Sequence, residues 1–209
     1  MADTPVLYGF DGSTYVRTVR MVLMENGIDY EQVPVNVLEG ETRQPDHLAR
    51  HPFGKVPVLD IDDIRLRETP AICQYLHETG KGDGLVPDDP KLRAKMNEAV
   101  QLIVSYGYDA LIGVAGYHLF PDFIGGRDED LRKLALEKSD TLIDMLMEHA
   151  DPWICGTQPS IADYVLGPII FYISLTPDAD QLMKNAKLRS WWTAVQDIES
   201  FKATEPDLG

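Results

Sequence analysis

A proline set among apolar β-formers, Val56-Pro57-Val58-Leu59, restricts this chain more than any other stretch. Proline cannot donate to a sheet ladder, so at the head of a strand it marks an edge, a bulge or a special turn. A cis Val56-Pro57 bond accounts for it. That isomer lets the N–H and C=O of Val56 face outward, where an extended peptide can pair with them. The flanks add to this. Phe53-Gly54-Lys55 reads as a turn that sets a cation beside exposed backbone. Ile64-Arg65-Leu66-Arg67 alternates apolar and charged residues, the period of a half-buried strand, and a tight turn at Asp62-Asp63 joins it to the first run. Glu68-Thr69-Pro70 then reads as a helix start, with Thr69 as N-cap and Pro70 at the first helical position. Unpaired N–H groups and a positive dipole end let such a start hold a carboxylate. Between His51 and Ile72 the chain therefore offers a cation, a pairing edge, an acid and an anion hole. That set suits a small peptide with a carboxylate at each end and an ammonium at one.

The rest of the chain can be placed around this stretch. Val6-Leu7-Tyr8 is a first strand and Gly9 to Gly12 a loop. Ser13 to Asn26 reads as a helix, because Val16, Val19 and Leu23 share a face. Asn26-Gly27 stops it, with Ile28 placed for the hydrophobic contact of the cap. Tyr30 to Val37 is a second strand, Asp46 to Arg50 a short helical turn, and Thr69 to Thr79 a helix ending at Gly80. The order βαβαββα is that of an α/β thioredoxin-like domain over residues 1–80. A Gly-, Pro- and Asp-rich linker over 81–90 follows, then an all-α region over 91–209. Its expected helices are Lys91 to Ile112, Asp128 to His149 and Tyr164 to Leu175, with a loop from His118 to Gly126. In the second of these, Leu131, Leu134, Leu142, Met145 and Leu146 are expected to face inward. Ser160 and Asp163 form a capping box before the third, and the tail after Phe201 is expected to be loose.

Charge and composition exclude some partners. The 209 residues carry a net charge of −15, so nucleic acid and anionic membrane surfaces are disfavoured. The start, MADTPVLYGF, has no basic region or long apolar run, and no stretch approaches the ~20 apolar residues of a membrane span. The two cysteines, Cys73 and Cys155, do not form a CxxC pair, and a cytoplasmic setting is the expectation. The five histidines show no metal-binding spacing, so no metal is expected. Gly80, Gly82 and Gly84 are not followed by the Lys-Ser/Thr of a phosphate loop.

VPVL, a short hairpin and then ETPAI resemble the glutathione-binding half of the cytosolic glutathione transferases. HLARHPFGKVPVL and ETPAICQYL are similar to the serine-type, phi/theta-like branch, and WICGTQPSIADYVLGPI resembles the family's buried capping motif. The resemblance covers nearly all of the chain. It implies glutathione as co-substrate, a small apolar electrophile as second substrate, and a homodimer. It also implies site residues. Ser13 is the catalytic position, with Arg17 as the basic residue that often follows it. Glu68 takes the ammonium of the γ-glutamyl end and Thr69 its carboxylate; Thr69 stands where the family has serine, and its methyl crowds the pocket. Val56 pairs with the cysteinyl unit, while Lys55 and Arg43 meet the glycyl carboxylate. The family's histidine before Arg43 is Thr42 here. Tyr15, Tyr106, Tyr108 and His118, with Phe120 and Phe123, are candidates for the electrophile pocket. Pro57, Ser160 and Asp163 are structural.

The chemistry asks for one donor to sulfur. A free thiol has a pKa of about 8.5, and lowering it by about two units needs roughly 2.7 kcal/mol of preference for the thiolate. One charge-assisted hydrogen bond supplies about 1.5–3 kcal/mol, and a helix N-terminus adds ~0.3–1 kcal/mol. A serine before a helix is also an ordinary N-cap, and that reading of Ser13 stays open. So do Tyr8, Tyr15 and Thr14 as rival donors. Three outcomes follow for the function: glutathione transfer; dehalogenation, isomerisation or peroxide reduction on the same scaffold; or a non-catalytic ligand-binding or stress protein. Gly12-Ser13-Thr14 lacks the Ser-Ser-Cys run of the isomerases.

Overall fold

In the computed structural model, β1 (Val6–Tyr8) and β3 (Val58–Ile61) are the inner strands of a four-stranded sheet, ordered β2-β1-β3-β4. β2 (Glu31–Val33) runs parallel to β1, and β4 (Ile64–Arg67) closes an antiparallel hairpin with β3. The structure describes residues 4–80, 82 and 84–207; Lys81 and Asp83 of the expected linker lie outside the described residues. The chain divides into two compact units: residues up to 83 together with those from Glu199 on, and residues 84–198.

The first unit is built on the inner strands. Leu7, Val58 and Leu59 are fully buried, as inner strands require. Against the sheet lies α1 (Thr14–Glu25), which buries Val16, Val19, Val22 and Leu23. Its end follows the spelling Asn26-Gly27-Ile28. Gly27 turns left-handed at φ 62°, its N–H bonds to the Met24 carbonyl, and that of Ile28 to Leu23. β2 is shorter than the alternation of Val33, Val35 and Val37 suggests, because Pro34 follows it and has no N–H to give the ladder. α2 (Pro45–Arg50) precedes β3, and α3 (Thr69–Thr79) follows β4 and packs against α1.

α10 (Glu199–Ala203) belongs to this first unit, and just past Phe201, where the sequence expectation was a loose tail, Thr204 is buried and accepts from Arg17 Nε at 3.4 Å. Arg17 of α1 is buried and reaches α10: Nη2 donates to the Phe201 carbonyl at 2.8 Å, and the guanidinium stacks 4.0 Å from the Phe201 ring. Ser200 Oγ donates to the Glu25 carboxylate at 2.5 Å. Short hydrogen bonds to α1 fix a stretch whose polar composition reads as solvent-exposed.

The second unit is helical. α4 (Pro90–Leu102) passes through a π-helical turn at Ile103–Gly107 into α5 (Tyr108–Leu119). His118 therefore lies on a helix rather than in the expected loop. A Cβ on Gly107 would sit 2.4 Å from Leu142, so α6 (Glu129–Met147) approaches the π-helical turn closely there. The inward face of α6 is Leu136, Leu142, Ile143, Leu146 and Met147; Leu131, Leu134 and Met145 are exposed, so the expected face is displaced in register. α7 (Ile161–Ser174) is buried almost throughout and accommodates Pro168. α8 (Ala179–Leu182) and α9 (Ala186–Gln196) complete the unit. The continuous helical run Pro90–Leu119 has the length and apolar content of a membrane span, which the sequence reading did not see; half of its most apolar window is buried in this unit.

At the base of α7, Asp163 is 1% exposed and accepts four hydrogen bonds: from Ser160 N (2.7 Å), Ser160 Oγ (2.9 Å), Ile154 N (3.0 Å) and Trp191 Nε1 (2.8 Å). Burial pushes its carboxyl pKa up, and the four donors act against that rise.

Candidate active site

Sheet register gathers the candidate residues of the first unit. Tyr8, the last residue of β1, lies opposite Val58, the first of β3, and Val58 lies opposite Arg67, the last of β4. Tyr8 also lies opposite Val33, the last of β2. The chain therefore leaves β1 toward Ser13, leaves β2 toward Arg43, enters β3 through Lys55 and Val56, and leaves β4 into Glu68 and Thr69, all at one end of the sheet. Ligands of open α/β sheets bind at such an end, where loops splay from the strand termini.

Ser13 occupies the N-cap of α1 with extended backbone, and its Oγ accepts from Val16 N at 3.4 Å. That contact uses a lone pair and leaves the hydroxyl proton free to be donated. The first turn of α1 has no acidic residue, so nothing there offsets the positive dipole end. Gly9 shapes the approach: at φ 154° its Cα faces Val16, where a Cβ would lie 2.3 Å from a methyl group. The rival donors are placed differently. The Asp60 carboxyl is held below its usual range first by hydrogen bonds from Arg65 (2.6 Å), with Tyr8 acting in the same sense. An Arg50 guanidinium lies 4.5 Å from the Tyr8 ring. The hydroxyls of Thr14 and Tyr15 are buried.

Val56-Pro57 is cis. No main-chain hydrogen bond involves Val56 among the described residues. The turn before it is held by Gly54, left-handed at φ 60°, where a Cβ would meet the Thr42 carbonyl at 2.8 Å. Arg43 Nη1 reaches the Phe53 carbonyl at 3.5 Å, so Arg43 and Lys55 flank one turn, and both are exposed. His47 Nε2 bonds to the Lys55 carbonyl at 2.8 Å and fixes the turn from beneath.

Glu68, not Thr69, is the N-cap of α3, and Thr69 is its first helical residue. Glu68 adopts φ 66°, a conformation that costs a non-glycine residue of order 1–3 kcal/mol and clusters at ligand sites. The result is a buried Thr69 at the helix mouth and a Glu68 side chain that is 72% exposed. Sequence reasoning passed over His51. Its ring is 3% exposed, with Nε2 3.8 Å from Glu68 Oε1. Its place after α2 and before Pro52 was visible in the sequence, but its neighbour seventeen residues on was not.

The remaining candidates fall in the helical unit. Tyr106 is 72% exposed on the π-helical turn, and Tyr108 is half-buried. His118 is engaged: its Nε2 lies 2.8 Å from Asp178, which Arg132 also holds. Phe120 packs edge-on against Tyr172, and Phe123 is exposed. Cys73 is fully buried, and burial pushes its thiol up to about 12, so it is not a nucleophile.

Comparison with known proteins agrees with this geometry. Residues 7–83 match the family described as glutathione S-transferase, N-terminal domain. The probable glutathione S-transferase GSTF2 of Oryza sativa subsp. japonica is 32% identical over 193 residues, covering 90% of this chain and 89% of that protein. A maleylacetoacetate isomerase of Rhizobium meliloti is 36% identical over 176 residues, 82% of each. Among solved structures, poplar glutathione transferase F1 superposes with a TM-score of 0.88 at 25% identity, over 97% of both chains. Glutathione S-transferase I of maize, in complex with an atrazine glutathione conjugate, superposes with a TM-score of 0.83 at 26% identity, again over 97% of both. Relatives at this identity and coverage, on a chain whose sheet register assembles these residues, show that it belongs to the glutathione S-transferase family.

Proposed function

We propose that this protein is a glutathione transferase in which Ser13 activates the glutathione thiol for attack on a small apolar electrophile. The observation that carries the proposal is the convergence of four strand termini at one end of the sheet. In this reading the cysteinyl unit pairs with the unbonded main chain of Val56. The γ-glutamyl carboxylate meets the N–H groups at Thr69, its ammonium meets Glu68, and the glycyl carboxylate lies between Lys55 and Arg43. The Ser13 hydroxyl then donates to sulfur. The thiol proton passes to solvent, and the thiolate's electron pair forms the S–C bond as the leaving group departs with the pair it shared with carbon. Structures of relatives bound to lactoylglutathione and to a glutathione conjugate support the ligand class. Tyr15, Tyr106, Tyr108 and His118 are the residues proposed for the electrophile, His118 being held by Asp178 at 2.8 Å. We further assign a homodimer and a cytoplasmic setting, on the resemblance and the charge balance.

A second reading, glutathione-dependent isomerisation, is favoured by the 36% identity to a maleylacetoacetate isomerase. Both are tested by mixing the purified chain with glutathione and either a chromogenic aryl halide or a cis-configured dicarboxylic dienone. Conjugation of the halide supports transfer. Isomerisation alone supports the second reading, and binding without either supports a carrier. Glu68→Ala binding glutathione as tightly as the native chain overturns the assigned site.

A further inference from the structure

We propose that His51 is a positioning residue that controls whether the Glu68 carboxylate is available to the ligand's ammonium. The inference deepens the glutathione site proposed above and rests on it. Four observations carry it. The His51 main chain is fixed at both ends, its N–H bonding to the His47 carbonyl and its carbonyl accepting from Gly54 N, each at 2.8 Å. Its imidazole is therefore a stationary group. Its ring is buried, with Phe53 packed against it edge-on at 6.2 Å between centroids, and its Nδ1 has no hydrogen-bond partner among the described residues. Its Nε2 lies 3.8 Å from Glu68 Oε1, beyond a good hydrogen bond but within reach of a small rotation. Glu68 is anchored by its backbone, whose carbonyl accepts from Ile72 N at 3.0 Å, yet its side chain is largely exposed and free to swing.

A mobile carboxylate between one fixed imidazole and one incoming ammonium is a competition. Neutral His51 holds Glu68 weakly, and the ligand's ammonium wins. Protonated His51 is a buried cation, and the nearest anion facing it is Glu68. Arg67, His47 and Lys55, the other charged or titratable groups facing it, all disfavour that cation. Closing the Glu68 contact then offsets its burial, and the carboxylate turns from the ligand. Burial keeps the His51 pKa below the ordinary imidazole range, with Glu68 acting in the opposite sense. The ligand therefore meets an open Glu68 at neutral pH and a closed one in acid. By linkage, binding must expel the His51 proton, and affinity falls as pH drops through the His51 titration.

The experiment uses S-methylglutathione, whose blocked thiol removes Ser13 and sulfur ionisation from the measurement. Titration calorimetry of the full chain from pH 5.0 to 8.0, in two buffers of different ionisation enthalpy, gives affinity and proton release together. The native chain is expected to lose about tenfold in affinity over the acid half of that range, the limiting slope being one logarithmic unit per pH unit for each proton expelled. It should also release a fraction of a proton on binding near the midpoint. His51→Gln and His51→Asn keep a polar side chain without a titratable proton, and are expected to bind with a flat profile and no proton release. A des-amino ligand, with hydrogen in place of the γ-glutamyl amine, is expected to bind the native chain with the same flat profile. If His51→Gln folds poorly, Glu68→Gln in the native background must also flatten the profile. Parallel pH profiles in native and His51→Gln chains overturn the positioning role and leave the glutathione site standing. Failure of the native chain to bind at any pH overturns both.

Discussion

Replacing Ser13 by alanine separates the helix cap it forms from the donation to sulfur proposed for it. As a cap, Ser13 Oγ accepts from Val16 N at 3.4 Å, a long contact, so its loss is expected at the low end of capping energies, about 0.5–1 kcal/mol. In a chain of this size that lowers Tm by roughly 1–4 °C. As a donor to sulfur, its loss removes one charge-assisted hydrogen bond, about 1.5–3 kcal/mol. At 1.36 kcal/mol per unit this raises the bound thiol's pKa by about one to two units. The dipole of α1, unopposed by any acid in its first turn, remains and keeps part of the activation. Conjugation of a chromogenic aryl halide, followed as kcat/KM from pH 5.5 to 9.5, should then show its rising limb displaced to higher pH by that amount. The rate deficit should be about 10–100-fold near pH 6.5 and should shrink as alkali ionises the thiol unaided. Ser13→Thr keeps both functions and should restore the limb. Tyr8→Phe should leave it in place if Ser13 is the donor. A limb that stays put in Ser13→Ala while Tm falls would reduce Ser13 to a cap and refute the reasoning.

Asp163→Ala leaves four donors around a buried site and should destabilise the helical unit by about 3–5 kcal/mol, with Trp191 emission reporting its unfolding in urea. Cys73 and Cys155, whose thiols are pushed up to about 12 and about 11 by burial, should both stay silent to a thiol-disulfide reagent in the native state at pH 8 and react on unfolding. Asp178 is held below its usual carboxylate range first by Arg132 and also by His118. Its folded pKa lies below the unfolded one, so it stabilises above the unfolded value near 4, and that contribution is lost as pH falls through the folded value. Arg132→Met should therefore lower stability at neutral pH and flatten its acid limb in thermal melts between pH 2 and 5.

The sequence made the hairpin and its flanks readable because their signals are local. A proline at a strand head, a two-residue turn at Asp62-Asp63, and Asn26-Gly27-Ile28 at a helix end each act within a few residues. Three readings failed where tertiary packing decides. The face of α6 is set by Gly107 admitting Leu142, and periodicity alone put Leu131 and Leu134 inward. The helix start at α3 moved to Glu68 because a left-handed residue there turns the chain, and a glutamate gives no hint of positive φ. His51 was missed since its partner is set by the hairpin bringing β4 back beside β3. The candidate residues themselves were legible as types at spacings; that Arg43 and Lys55 flank one turn needed the Gly54 contact with Thr42.

The union of α10 with α1 has a consequence for dissection. A fragment cut at the linker would contain every strand of the sheet and yet lack Phe201, whose carbonyl and ring cover the Arg17 guanidinium. The buried cation, on the helix that Ser13 caps, would then lose that cover. Half-molecules made for binding studies should therefore carry residues 199–207 rejoined through a short tether, because the thioredoxin-like part draws on two separated stretches of the sequence.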